Sequence, residues 1–264
     1  MMKKYLFPVV VLVLVLFLIS SCALKNVPIT QITVGQTTEE TPDTEVDLST
    51  KPIAILEHSE LYIPNVSVED VILYFNEVCL DAERTNSGDS TKLQRWENPI
   101  RYICNGTYTD ADKKILDDFV TSLNTLDGFP GMQETQESAL ANLNIYFCEQ
   151  SEYLAIMGEG FSETDGGVTF WYTEANEIYD AVIGIRTDIE QEVRDSVIIE
   201  EIYNGLGPIN DTQLRQDSVI YAEFSTPQRL SCVDELIIKL LYHPQMQCGM
   251  DAADCAAVIR QLYY

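Results

Sequence analysis

The chain is poor in the residues that most often build active sites. It has two histidines, His58 and His243, too far apart to form the pair at helical spacing that grips a transition metal. No GxSxG segment is present, which removes the strand–turn–helix nucleophile. No glycine-rich loop runs into GK[ST], which removes the phosphate cradle; Gly158-Glu159-Gly160 and Gly166-Gly167 read as turns. The absence of a CxxC pair argues against a structural zinc–thiolate centre, and no EF-hand pattern occurs. Positive charge is also scarce: 16 Lys and Arg stand against 42 Asp and Glu, for a net −26. Such a surplus repels polyanions, so nucleic acid is excluded as a partner. Only one long apolar run exists, near the start of the chain.

That run extends from Phe7 to Ile19, broken by Pro8 and preceded by Lys3 and Lys4. It is too short for a comfortable membrane span. Ile19-Ser20-Ser21-Cys22 follows, and small residues before a cut suit the narrow pocket of a signal peptidase. With Cys after them, the segment resembles the lipobox of bacterial lipoproteins. The resemblance implies that residues 1–21 are a signal peptide and that the Cys22 thiol becomes a thioether to diacylglycerol. Cys22 is then the first residue of the mature protein, tied to a membrane of the cell envelope. Ala23 supplies no retention aspartate, which favours the outer membrane in a cell that has one. Loss of Lys3 and Lys4 would take the net charge from −26 to −28. Residues 22–50 read as a flexible acidic tether, since Gln36 to Glu45 offers little to bury. Residues 51–264 suit a single domain.

Six further cysteines, Cys79, Cys104, Cys148, Cys232, Cys248 and Cys255, are disulfide candidates in an oxidising compartment. Their connectivity is open, although Cys248 and Cys255 are spaced to close a short local loop. Helices are expected from Ser67, where Ser67 and Asp70 suggest a capping box, and from Thr109, with Ile115, Leu116, Phe119, Val120 and Leu123 at helical spacing. Three more run from about Glu192 to Gly205, from Ser231 to about Tyr242 and from Asp251 to Tyr263. Strands are expected at 99–104, 143–148, 168–172 and 181–185, rich in β-branched and aromatic residues. Trp96 and Trp171 could form a platform for a carbohydrate or peptide, but aromatic residues of this kind are expected in the core. The order predicts an α+β domain with a helical C-terminal part.

The helix ending at Gly205 carries the most chemistry. Glu200 and Asn204 are four apart and share one face, with Glu201 beside them. Gly207 can turn the chain and bring Asn210 or Asp211 back toward that face. The layout resembles the metzincin motif HExxHxxGxxH/D, in which two histidines and a third residue hold zinc and the Glu is the general base. The resemblance implies a zincin-like mixed sheet bearing this motif helix. It places Glu200 and Asn204 at the two histidine positions, Glu201 at the general base, Gly207 at the glycine and Asn210 at the third ligand. Met246 and Met250 stand where the family's Met-turn falls.

Residues 95–264 also resemble a bacterial family known as domain of unknown function 2927. Its pattern matches Glu200-Glu201 through Leu206-Gly207, Asn210-Asp211, Ser218-Val219-Ile220-Tyr221, and Leu241-Tyr242-His243-Pro244 with Gly249-Met250. Asn204 and Pro208 depart from it. No activity comes with that family. Asn is a poor zinc ligand beside imidazole, so the site is expected to lack a cofactor. The alternatives are calcium on Glu200, Glu201 and Asp211, or zinc through other ligands. The expected function is a non-catalytic, lipid-anchored domain that binds an envelope protein, peptide or glycan, or serves a structural role. The alternative is a metallopeptidase-like hydrolase using Glu201.

Overall fold

The computed structural model describes residue 63 and residues 65–80 and 92–263. Cys22, the expected signal peptide, the expected tether and His58 lie outside the described residues. The elements run α1 (Val68–Leu80), β1 (Arg95–Trp96), β2 (Ile100–Gly106), α2 (Asp110–Leu123), β3 (Met132–Glu134), β4 (Leu143–Cys148), α3 (Gln150–Met157), β5 (Gly166–Tyr172), β6 (Glu177–Arg186), α4 (Gln191–Gly205), α5 (Cys232–Leu241) and α6 (Ala252–Tyr263). Among the described residues, no helix is long and apolar enough to cross a membrane.

These strands make one six-stranded sheet. β3, β2, β4 and β6 lie side by side, all parallel, β1 joins β6 in parallel, and β5 pairs β6 antiparallel. The domain is therefore mixed α/β with a mostly parallel sheet. The expected α+β order is corrected in this respect, because the short β3 after α2 completes a parallel crossover that strand-length patterning does not reveal. At the sheet centre Leu143 faces Ala181, Ile145 faces Ile183 and Phe147 faces Ile185, and all six are buried. Such cross-strand apolar pairs on one face fix the register, because a one-residue slip would turn them all outward.

Against the sheet packs α4, itself covered by α2. Val197, Ile198, Ile199, Ile202 and Tyr203 are all buried, so α4 is a core helix with apolar contacts nearly all round. Its C-terminal carbonyls find donors from distant segments. Trp96 Nε1 donates to Gly205 O at 2.9 Å, and Tyr242 Oη donates to Leu206 O at 2.9 Å. Trp96 is thus a core residue, as expected, and it also satisfies a helix end that would otherwise leave bare carbonyls.

Gly207 ends this helix region with φ +135°. A Cβ there would lie 2.6 Å from the backbone oxygen of Gln94, so glycine is required both for the dihedral and for the close approach of the segment entering β1. Gly207→Ala is expected to destabilise the fold by roughly 2–4 kcal/mol. Urea unfolding would show it as a lower midpoint with an unchanged slope, and a shift under about 0.5 kcal/mol would contradict the requirement.

Candidate functional site

The α4 motif residues sit at the junction of α4, the head of β5 and the loop after Gly207. Glu201 is buried. It lies over Gly166, where a Cβ would meet Glu201 Oε1 and Cγ at 2.8 Å. Gly166 and Gly167 are not a turn, as the sequence suggests, but the first two residues of β5. Both lack side chains because α4 presses on one and Phe161 on the other. Tyr153, on α3, donates its hydroxyl to Gly166 O at 2.6 Å and contacts Thr164 Oγ1 at 2.7 Å. Burial drives the Tyr153 hydroxyl well above the ordinary phenol range, and the negative charge of Glu201 adds to it.

Glu200 is half-buried. Burial first, then Asp211 and Asp165, push its carboxyl up to about 8. The folded chain thus holds a proton at Glu200 that the unfolded chain gives up in the ordinary carboxylate range. That contribution to stability is fully present below the unfolded value and is lost as pH rises toward about 8. Asp165 is in turn paired with Arg186 at 2.9 Å. Asn204, one turn beyond Glu200, is 4% exposed, and its Oδ1 has no hydrogen-bond partner.

The chain does turn back at Gly207, and it brings Asp211 into the electrostatic neighbourhood of Glu200. Asn210 belongs to α1: its Nδ2 donates to Glu77 O at 3.0 Å and its backbone N–H donates to Val78 O at 3.1 Å. Thr212 Oγ1 donates to Glu77 Oε2 at 2.6 Å. The last turn of α1 therefore anchors the loop that follows the motif helix. Glu77 and Thr212, which sequence reasoning missed, lie 135 positions apart, and no local signal joins them.

The donor set does not fit zinc. Helix positions 200 and 204 offer a carboxylate and a neutral amide where the metzincin pattern has two imidazoles, and the third position offers a second neutral amide, whose N–H₂ donates to α1. Among the described residues no group of three or more His, Cys, Asp or Glu side chains is placed to hold a metal ion. Met246 is fully buried, and Met250 pairs through its backbone oxygen with Leu93 N at 2.9 Å. His243 is half-buried on the turn after α5, where burial and then Arg95 lower its proton affinity.

All six disulfide candidates are free thiols. Cys248 and Cys255 do not close a loop. Cys248 Sγ lies 3.5 Å from Glu97 Oε1, whereas Cys255 is fully buried on α6. The Cys79 thiol is raised well above its usual range by burial first and then by neighbouring Cys255. Cys104 and Cys148 are raised too, to about 12 and about 11, mainly by burial, and Cys232 is exposed. Spacing along the chain carries no information on where a sulfur points, so it cannot distinguish these cases.

A family model described as protein of unknown function (DUF2927) matches residues 69–261. The match spans α1 to α6, and the chain belongs to that family. No curated protein matches the chain.

Proposed function

We propose that this chain is an exported, lipid-anchored envelope protein whose zincin-like domain binds a partner without hydrolysing it. The mixed sheet, the motif helix packed against it and the helical C-terminal part support the zincin-like reading. The observation that carries the loss of catalysis is the donor set itself: the two helix positions hold Glu200 and Asn204, a carboxylate and a buried neutral amide, where the zinc pattern has imidazoles. At the third-ligand position Asn210 turns its Nδ2 to the α1 carbonyl of Glu77. A general base at Glu201 has no polarised water to act on when the ligand positions cannot hold the ion. The lipid anchor at Cys22 and the tether over residues 22–50 would hold this domain at the membrane surface.

Two measurements on the full-length protein test the reading. Elemental mass spectrometry after dialysis without chelator is expected to find no stoichiometric zinc. Incubation with a fluorogenic peptide library is expected to give the same background turnover for the natural chain and for Glu201→Gln. About one zinc per chain, or turnover that Glu201→Gln abolishes, would establish the hydrolase instead.

A further inference from the structure

A groove of about 1060 Å³ lies between α2 and α5, a size that suits a bound ligand. Its recessed lining is apolar. Phe119 and Leu123 of α2 and Ile199 of α4 line it, although all three are buried. Half-buried Leu126, Leu230 and Leu262 widen the apolar strip. The large apolar side chains most exposed to solvent, Phe224 and Leu73, are not part of it. The groove is therefore a concave site that a chain can enter, not a flat patch that rests on a bilayer.

The cations along the groove stand out in so acidic a chain. Outside it, every described Lys and Arg except Arg101 has an ion-pair partner. Arg229 and Lys239, which line it, have none among the described residues. Glu235 stands one turn before Lys239 on α5, the spacing and order that best suit a helix ion pair, yet no pair forms. Of the acids lining the groove, Asp118 is taken by Lys114. Asp127 and Glu235 are exposed, so water and salt screen them. Lys239 is half-buried, its stem suited to lie on the apolar lining and its charge screened less than theirs.

An occupant must bring an apolar body for the lining and a negative group for Lys239. A long-chain carboxylate brings both. An extended peptide would also bring N–H and C=O groups that this lining leaves unbonded. We propose that the groove binds a free long-chain carboxylate, with its alkyl chain along Phe119, Leu123 and Ile199 and its head at Lys239. Arg229 adds positive potential from the loop before α5. The inference goes beyond the binding reading above: it concerns a second site and does not depend on the fate of the motif.

Chain length gives the site a signature. Each methylene laid on the apolar lining is worth a factor of about three to four in affinity. Two more carbons should therefore tighten binding roughly tenfold until the groove is full. An alcohol of the same length keeps the apolar gain and loses the charge-assisted hydrogen bond from Lys239, and an alkylammonium replaces it with repulsion.

Photolabelling of the full-length protein in phosphatidylcholine vesicles with a diazirine-bearing palmitate tests this, with the labelled peptides read by mass spectrometry. Label is expected on the α2 and α5 segments that line the groove. Unlabelled carboxylates should displace it, more strongly from octanoate to decanoate to dodecanoate. Dodecanol should compete far less well than dodecanoate, and dodecyltrimethylammonium should not compete. Lys239→Gln should cut the labelling roughly tenfold at subsaturating probe, Arg229→Gln by a smaller factor, and Lys239→Arg should retain it. Label on the segments of Leu73 and Phe224 in place of the groove would show contact with the bilayer and overturn the proposal. Equal competition by dodecanol, or labelling indifferent to Lys239→Gln and Arg229→Gln, would overturn it as well. Zinc occupancy and Glu201-dependent turnover are separate readouts, so the non-catalytic reading stands or falls apart from these results.

Discussion

Asp234→Ala is expected to lower the unfolding free energy by about 3–5 kcal/mol, enough to threaten the fold of a marginally stable domain. Asp234 is fully buried, and hydroxyl and backbone N–H donors hold its carboxylate. Its Oδ1 accepts from Ser218 Oγ at 2.6 Å and Tyr74 Oη at 3.2 Å. Its Oδ2 accepts from the backbone N–H of Ser231 at 2.9 Å and of Val219 at 3.1 Å. Its own backbone oxygen receives Tyr203 Oη at 3.1 Å. One carboxylate thus ties α1, the loop before α5 and the start of α5 together, and the residue's backbone oxygen adds the motif helix. Alanine would strand the buried N–H of Val219 and the part-buried N–H of Ser231, and would leave the hydroxyls of Ser218 and Tyr74 without this acceptor; a stranded buried donor costs about 1–3 kcal/mol. Asn at the same position keeps the volume but places an amide N–H₂ against one pair of donors, so Asp234→Asn should cost nearly as much. Tyr74→Phe removes a hydroxyl that contacts both Asp234 Oδ1 and Ser218 Oγ and should lose about 1 kcal/mol. Urea unfolding followed by tryptophan fluorescence reads all three. An Asp234→Ala loss below about 1 kcal/mol would show that the carboxylate does not organise this core.

The sequence exposes half of that node. Ser231 followed three residues later by Asp234 signals a capped helix start, and the capping box is present. The second use of Asp234, receiving a loop and a tyrosine from far along the chain, has no local trace. The same division runs through the fold. α1 and α2 carry their helical periodicity openly, and they, β4, β6 and α4 lie close to their expected positions. β1 and β3, at two and three residues, are too short to show an alternation. They exist because a neighbouring strand offers hydrogen bonds. α3 begins only two residues after β4 ends and buries only Tyr153 and Met157, too few apolar positions to announce a helix. Gly166 and Gly167 resemble a turn because glycine usually marks one. Here they are strand residues chosen for the side chains that press on them.

The motif helix shows the limit most sharply. Spacing alone places Glu200 and Asn204 on one face and lets Gly207 redirect the chain, and both features are present. Spacing cannot say which of two adjacent residues turns inward after the bend. Asn210 faces α1 and Asp211 approaches Glu200 because Glu77 presents both a helix-terminal carbonyl and a carboxylate to this loop. That partner lies more than a hundred residues upstream, so the choice is made by tertiary packing.

Arg194→Ala is expected to cost about 3–5 kcal/mol near neutral pH, because it leaves a fully buried carboxylate without its cation. Asp112 has no exposed surface, and Arg194 Nε lies 2.7 Å from its Oδ1. Gln191 Nε2 donates to the same oxygen at 2.7 Å, and the backbone N–H of Thr109 donates to Oδ2 at 2.7 Å. The carboxylate therefore caps α2 and receives α4 at once. Burial raises the affinity of Asp112 for a proton, but the hydrogen bonds from Thr109, Arg194 and Gln191 outweigh it, and the net shift is downward. A carboxyl whose folded value lies below its unfolded one contributes stability above the unfolded value, and that contribution is lost as pH falls through the folded one. The natural chain should thus lose this part of its stability on acidification below about pH 4. Arg194→Ala should flatten the acid limb, since the main side-chain cation holding Asp112 ionised is gone. An apolar replacement of both partners, Asp112→Leu with Arg194→Met, should recover part of the loss. It should not recover all of it, because the α2 capping box would still be broken, at about 1 kcal/mol. Unfolding midpoints measured from about pH 3 to about pH 8 separate the two contributions. The cap term is present at every pH where Asp112 is absent, whereas the ion-pair term disappears with protonation. An unchanged acid limb in Arg194→Ala would mean that Thr109 and Gln191 suffice to hold the carboxylate, and that the α2–α4 junction is maintained by capping alone.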